Sequence, residues 1–188
     1  MSDTHLPLPK ERNLHFAAQV EQETIEAITK EIISINEHDT HLTKIYGVYD
    51  FEYTPKPINL YIDSYGGNVY QILGLISIID KSETPVYTYV TGAAMSAGFM
   101  LLTSGHKRFA YKHSTIMIHQ VSSSAWGTLK EMEENVAETK RLQKVLESII
   151  VNKTRVSKAK LKEIYTNKTD WFLTSTEAVE WGIVDQIV

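Results

Sequence analysis

Cysteine is absent from the 188 residues of the chain. A disulfide framework and a thiolate metal site are therefore excluded, and a metal would have to be held by histidines and carboxylates. We expect neither metal nor cofactor. Long apolar runs are also missing, because the longest fall far below the roughly 20 residues that span a bilayer. Residues 1–11 lack the apolar stretch of a signal sequence, so we expect a cytoplasmic protein without membrane attachment.

The chain also lacks a large excess of positive or negative charge. The chain has 19 Lys and Arg against 23 Asp and Glu, a formal net charge of −4. The basic residues are scattered or lie beside acids, which argues against a nucleic-acid partner. With 43% hydrophobic residues the chain can bury one core, and its length is too short for two ordinary domains. We therefore predict a short N-terminal segment, residues 1–13, and one domain over residues 14–188.

Hydrophobic periodicity predicts an α/β fold. Four isoleucines at helical spacing predict an amphipathic helix that begins near Val20: Ile25, Ile28, Ile32 and Ile35. Residues 36–57, rich in polar residues, Gly and Pro, have the composition of a surface excursion. Short apolar runs predict strands at residues 14–18, 58–62, 86–90 and 115–118. Their alternation with glycine turns and helices is typical of βαβ units around a buried parallel sheet.

Two helices are predicted in the second half of the chain. Residues 128–152 form a long one, whose apolar residues fit a helix between two subunits as well as a core helix within one. Thr174 and Glu177 have the spacing of a capping box that opens a short last helix, and Gly182 is placed as its stop. His106 and His113 flank a segment that we interpret as an exposed turn.

The segment TGAAMSAGF, residues 91–99, places Ser96 among small residues where a strand meets a helix. This arrangement resembles a nucleophile elbow, although Ala94 stands where the consensus has glycine. A serine hydroxyl needs a base to become a nucleophile. Among seven histidines, His119 is the candidate, because it ends a predicted strand at the edge of a cleft. A half-buried histidine bonded to a backbone carbonyl is the alternative interpretation.

An orienting carboxylate and oxyanion donors complete such a site. Asp170 is the best candidate acid, since it lies among apolar residues directly before a predicted helix, where it can be partly buried. Asp63 and Asp185 are the rivals, and spacing does not choose among the three. The amide of Ala97 follows the nucleophile, and the pair of glycines at 66 and 67 lets backbone amides approach a substrate closely.

Four segments resemble the signature blocks of the Clp protease proteolytic subunit. They occur in the same order as in that family and at nearly the same spacing. They are INLYIDSYGGN at 58–68, GAAMSAGFMLL at 92–102, IMIHQ at 116–120 and DWFLTSTEAVEWGIVD at 170–185. The resemblance implies Ser96, His119 and Asp170 as the catalytic triad and the amides of Gly67 and Ala97 as the oxyanion hole. It also implies a crotonase-like fold of repeated ββα units with a protruding handle helix, the handle region covering about 120–152.

The same resemblance implies partners. Family members assemble as two stacked heptameric rings around a chamber, where they cut unfolded polypeptides delivered by a separate AAA+ unfoldase. The chain contains no G-x-x-x-x-G-K-[ST] loop, so any use of ATP belongs to that partner. For a member of this family the plastid stroma or the cytoplasm of an infected host fits as well as a bacterial cytoplasm.

The chain departs from the family pattern in several places. Tyr65 and Val121 stand where the family usually has proline, and SSSAWG at 122–127 replaces its glycine-rich handle segment. The 36–57 excursion is longer than usual, and the stretch before Leu14 is shorter than the family's axial gate, which we expect to be reduced. Two alternatives stay open: a structural or catalytically minor ring subunit of a mixed Clp complex, and a crotonase-type acyl-CoA enzyme.

Overall fold

The computed structural model describes residues 9–167 and 169–188. Those residues form six helices: α1 Gln22–Val48, α2 Val69–Lys81, α3 Ala97–Ser104, α4 Leu129–Lys153, α5 Lys158–Asn167 and α6 Ser175–Glu180. They also form seven strands: β1 Asn13–Phe16, β2 Ile58–Ser64, β3 Val86–Met95, β4 Lys107–Ala110, β5 Thr115–Ile118, β6 Trp171–Thr174 and β7 Gln186–Ile187. The predicted α/β class is confirmed. The first eight residues of the expected N-terminal segment, with His5, lie outside the described residues.

One sheet joins all of these strands. Its main path runs β1-β2-β3-β4-β7, and every neighbouring pair on that path is parallel. β3 changes partner along its length, since residues 87–90 pair with β4 and residues 93–95 pair with β5. β6 pairs antiparallel with β5. The carboxyl ends of β3 and β5 therefore lie side by side, next to the start of β6.

Helices cover the sheet and close the core. Ile58, Leu60 and Ile62 of β2 have no exposed surface, and α2 contributes Ile72, Leu75 and Ile79, also without exposed surface. Every residue of α3 is buried. A helix that is apolar on all sides can be accommodated only inside a core. α3 therefore fixes the position of whatever precedes it, which is Ser96.

The first helix is longer than the sequence predicts. The buried isoleucine face continues through Asp39 and Leu42, and α1 ends only at Val48. The expectation of a surface excursion is therefore wrong for residues 36–48. Asp39 interrupts the apolar pattern because its carboxylate is buried against Arg12, whose Nη1 donates a 2.6 Å hydrogen bond to Oδ2.

Four elements lie where none was predicted: β4, α5, β6 and β7. β4 occupies the segment interpreted as an exposed turn after His106, and its Arg108 pairs with Asp185 at 2.7 Å. Residues 107–108 are charged, which hid the strand from a search for apolar runs. α5 is rich in lysine but buries Leu161 and Ile164 on one face. β3 also runs on to Met95, so the helix expected after Gly92 begins at Ala97.

The capping signals in the second half of the chain are confirmed. Thr128 caps α4 and Thr174 caps α6 in a capping box with Glu177. Gly182 follows α6 with φ of +61°, a conformation that favours glycine. The two halves of α4 differ in burial. Leu142, Leu146 and Ile150 are buried in this subunit's core, whereas apolar residues of the first half are exposed, among them Leu129, Met132 and Val136. Within the described ranges, no helix is both long enough and apolar enough to cross a membrane.

Candidate active site

Ser96 occupies a sharp turn between β3 and α3. Its φ of +53° is one that residues with a side chain rarely adopt, and strain of this kind is concentrated at functional sites. The Ser96 amide donates a 3.0 Å hydrogen bond to the carbonyl of Met117, which fixes the turn to β5. Gly66 lies directly against it, since a Cβ there would come within 2.7 Å of the Ser96 Cβ. The elbow forms even though Ala94 replaces the consensus glycine.

Strand register brings His119 to Ser96. Met95 pairs with Met117 across β3 and β5, so the residues that follow these strands are neighbours. The Nε2 of His119 lies 2.7 Å from the Ser96 Oγ. With the proton on Nδ1, Nε2 accepts the hydrogen bond of the serine hydroxyl. This contact is the one that removal of the serine proton requires.

Register also explains the position of Asp170. Ile118 pairs with Trp171 in the antiparallel β5–β6 ladder, which puts Asp170 opposite His119. The Asp170 Oδ1 is 3.9 Å from the His119 Nδ1, and 55% of the aspartate side chain is exposed. This distance is beyond a hydrogen bond. The expected environment was wrong, because Asp170 precedes a strand and α6 starts only at Ser175.

The rival carboxylates are engaged elsewhere. The Asp63 Oδ1 accepts a 2.8 Å hydrogen bond from the amide of Ala93. Both oxygens of Asp185 accept hydrogen bonds from the Arg108 side chain. Of the three acids weighed from the sequence, Asp170 is the one that the fold brings to His119.

The two residues expected to supply oxyanion donors both lie beside Ser96. The amide of Ala97 begins α3, where the first N–H groups have no partner within the helix. Gly67 forms an isolated parallel bridge with Val20, in which Val20 N–H binds the carbonyl of Gly66 and Asn68 N–H binds the carbonyl of Val20. This pattern turns the N–H of Gly67 away from Val20. Gly67 and Ala97 both line the cavity at Ser96.

A small cavity of about 50 Å³ adjoins the serine and the histidine. Apolar side chains form part of its wall: Ile72, Phe99, Met100, Leu146 and Ile150. Gln143 of α4 and Tyr165 of α5 also line it. Sequence reasoning missed these two residues, because α5 was not predicted and Gln143 carries no signal beyond its position one turn before Leu146.

Gln143 ties the segment after His119 to α4. Its Oε1 accepts a 2.8 Å hydrogen bond from the amide of Val121, and the hydroxyls of Ser123 and Thr139 lie 3.0 Å apart further along. Burial raises the pKa of Tyr165 to about 12. The tyrosine is therefore neutral at physiological pH.

In the part of the chain that the structure describes, no three His, Asp or Glu side chains are grouped as a metal ion would require. Comparison with protein families gives one further finding. The model of the Clp protease family matches residues 2–188.

Proposed function

Because the chain belongs to the Clp protease family, whose crotonase-like α/β fold it adopts, we propose that it is a serine endopeptidase. Ser96 is the nucleophile and His119 the general base. The observation that supports this most directly is the 2.7 Å contact between the His119 Nε2 and the hydroxyl of a serine held at positive φ. A structural ring subunit or an acyl-CoA enzyme has no use for that contact.

The reaction follows from the geometry. The His119 Nε2 takes the proton of the Ser96 hydroxyl as Oγ attacks the scissile carbonyl carbon, and the carbonyl π electrons move onto oxygen. The imidazolium then gives that proton to the leaving amine as the peptide C–N bond breaks. Water, deprotonated by the same nitrogen, hydrolyses the acyl-enzyme and releases Ser96.

The other site residues have supporting roles. The amides of Gly67 and Ala97 stabilise the oxyanion, each donor contributing about 3 kcal/mol to the transition state. The N-terminal end of α3 adds a favourable dipole. Asp170 orients His119 through Nδ1 and stabilises the imidazolium. At 3.9 Å and with more than half of its side chain in solvent, it does so weakly in the isolated subunit.

The substrates that we propose are unfolded polypeptides, which a homo-oligomer of two stacked heptameric rings would enclose. Exposed apolar residues on the first half of α4 support a contact between subunits there, and Trp126, which precedes that helix, is 99% exposed. A row of stacked rings crosses the sheet at His15, Tyr61, Tyr89 and Phe109. We propose this aromatic surface as a docking site for the AAA+ unfoldase partner.

Labelling with a fluorophosphonate probe tests the proposal, because the probe reacts only with an activated serine. Intact-mass analysis should show one adduct, and peptide mapping should locate it at Ser96. The Ser96→Ala protein should give no adduct. A wild-type protein without adduct would contradict the proposal and favour a structural ring subunit or an acyl-CoA enzyme.

A further inference from the structure

Tyr165 separates two cavities. On one side is the 50 Å³ cavity beside Ser96. On the other is a groove of about 380 Å³, lined by Gln120, Glu147, Lys158, Lys162, Tyr165 and Thr166. Tyr165 lines both, which places it at the boundary between the pocket beside Ser96 and a charged groove.

We propose that Tyr165 determines specificity: it closes the pocket for the substrate side chain that precedes the scissile bond and restricts that side chain to aliphatic groups. The inference rests on the proposed peptidase function and extends it to a substrate class. The pocket adjoins the Ser96 hydroxyl and the amide of Ala97, which is where the side chain of the residue contributing the scissile carbonyl must lie.

The size of the pocket excludes aromatic side chains. Its 50 Å³ is about one third of the cavity of ~150 Å³ that holds a benzene molecule in a protein core. None of the described residues that line it is Asp, Glu, Lys or Arg. A charged substrate group is therefore disfavoured, because it would lose hydration there without a counter-charge. Without the Tyr165 ring, the pocket would open into the groove beyond and would admit a phenyl group.

The Tyr165 side chain is held in place by its surroundings. Its ring is packed against the core cluster, and it shares the wall of the pocket with Gln143. The Oε1 of Gln143 is in turn bound to the amide of Val121. A ring fixed in this way cannot swing aside at low cost to admit a larger substrate group.

The test compares fluorogenic peptides that are identical except for leucine or phenylalanine before the cleaved bond. For the wild-type protein we expect kcat/KM to favour leucine by about tenfold or more, the range typical of steric discrimination in an apolar pocket. Tyr165→Ala should bring the ratio close to one by raising cleavage after phenylalanine. Tyr165→Phe keeps the ring and should keep the ratio. If the alanine variant does not fold, Tyr165→Leu, which keeps apolar volume but removes the ring, should show the same shift.

Equal cleavage after the two residues by the wild-type protein, or an unchanged ratio in a folded Tyr165→Ala or Tyr165→Leu variant, would overturn the inference. Labelling of each protein with fluorophosphonate distinguishes a failure of the specificity role from a failure of the peptidase function. A labelled Ser96 with an unshifted ratio overturns the specificity role alone. An unlabelled wild-type protein overturns the peptidase function and this inference with it.

Discussion

The carboxylate of Asp170 lies 3.9 Å from the Nδ1 of His119, while more than half of the aspartate side chain is exposed to solvent. Water screens an ion pair of this kind, so its contribution is small. The histidine is oriented mainly by its place at the end of β5 and by its 2.7 Å contact with Ser96. The aspartate is therefore the weakest member of the proposed triad.

We predict that Asp170→Asn lowers kcat by clearly less than the about 10⁴-fold loss seen when a closed triad loses its acid. The measurement is kcat for a fluorogenic peptide, with His119→Ala assayed beside it as the full loss. A decrease of about 10⁴-fold would show that assembly draws the two side chains into hydrogen-bond contact.

The nucleophile and the base should fail as a unit. Ser96→Ala and His119→Ala are each expected to lower kcat by several orders of magnitude, and the double variant should be no worse than either, because neither residue acts without the other. Peptidase assays on folded, assembled protein measure this. Losses that multiply in the double variant would contradict the pairing.

Two other histidines serve as controls for that experiment. His113 is exposed, and His113→Ala should leave the rate unchanged. The Nδ1 of His106 accepts a 3.0 Å hydrogen bond from the amide of Val86. His106→Ala should therefore lower thermal stability while the rate per folded molecule stays near normal.

The exposed apolar residues in the first half of α4 indicate where substitutions should disrupt assembly of the proposed rings. Light scattering should give a mass near that of two heptameric rings, about fourteen subunits of 21.4 kDa. Glutamate at both Met132 and Val136 places charge on an exposed apolar surface and should split the particle while leaving each subunit folded.

Leu146 is not suitable for the assembly test, although from the sequence alone this apolar residue of the long helix could lie between subunits. It is 8% exposed and belongs to the core of its own subunit, so a charge there would unfold the protein. Ile33→Glu, on an exposed position of α1, is the matched control and should leave the mass unchanged. A monodisperse, active wild-type monomer would contradict the chamber proposal.

Strand ends explain why the sequence points to Ser96 and His119 as neighbours. His119 directly follows the predicted strand at 115–118, whereas Ser96 follows β3, which runs beyond its predicted end at residue 90 to Met95. Parallel neighbours bring such positions together at one edge of a sheet. The choice of Asp170 needs the antiparallel pairing of β5 with β6, which no local pattern contains. The wall formed by Gln143 and Tyr165 depends on packing between α4 and α5, and so it could not be predicted from spacing.

Three of the errors in the fold share one physical origin. Asp39 in α1, Arg108 in β4 and the lysines of α5 put charges into regular elements, and a search for apolar periodicity stops at each of them. Their partners lie far away in the sequence: Asp39 pairs with Arg12 and Arg108 with Asp185. A charged side chain can be buried in these elements only when its distant partner is in place, and the local sequence does not reveal that partner.

The pair of Arg12 and Asp39 gives the last prediction. Both side chains are buried, and the carboxylate also accepts hydrogen bonds from Thr84 at 2.6 Å and Tyr53 at 2.7 Å. Burial alone would raise the pKa of Asp39, but the hydrogen bonds from Arg12, Thr84 and Tyr53 outweigh burial and lower the pKa below that of an ordinary aspartate. The ionised carboxylate is therefore the form that the folded protein prefers.

Asp39→Asn should lower the free energy of unfolding by about 3–5 kcal/mol at pH 7, because it leaves the Arg12 guanidinium buried without a counter-charge. Since the pKa of Asp39 is lower in the folded than in the unfolded chain, its stabilisation is complete above the unfolded value and is lost as pH falls through the folded value. The free energy of unfolding of both proteins can be measured by urea unfolding from pH 7 down to about 3. As the pH falls, the wild-type value should approach that of the variant, because the variant lacks the ionised carboxylate at every pH. Asp50→Asn, at an exposed residue with φ of +58° that asparagine tolerates, should change stability little at any pH. Two parallel curves for wild type and Asp39→Asn would mean that the carboxylate titrates alike in both states, and that the cluster around Arg12 contributes through packing instead of charge.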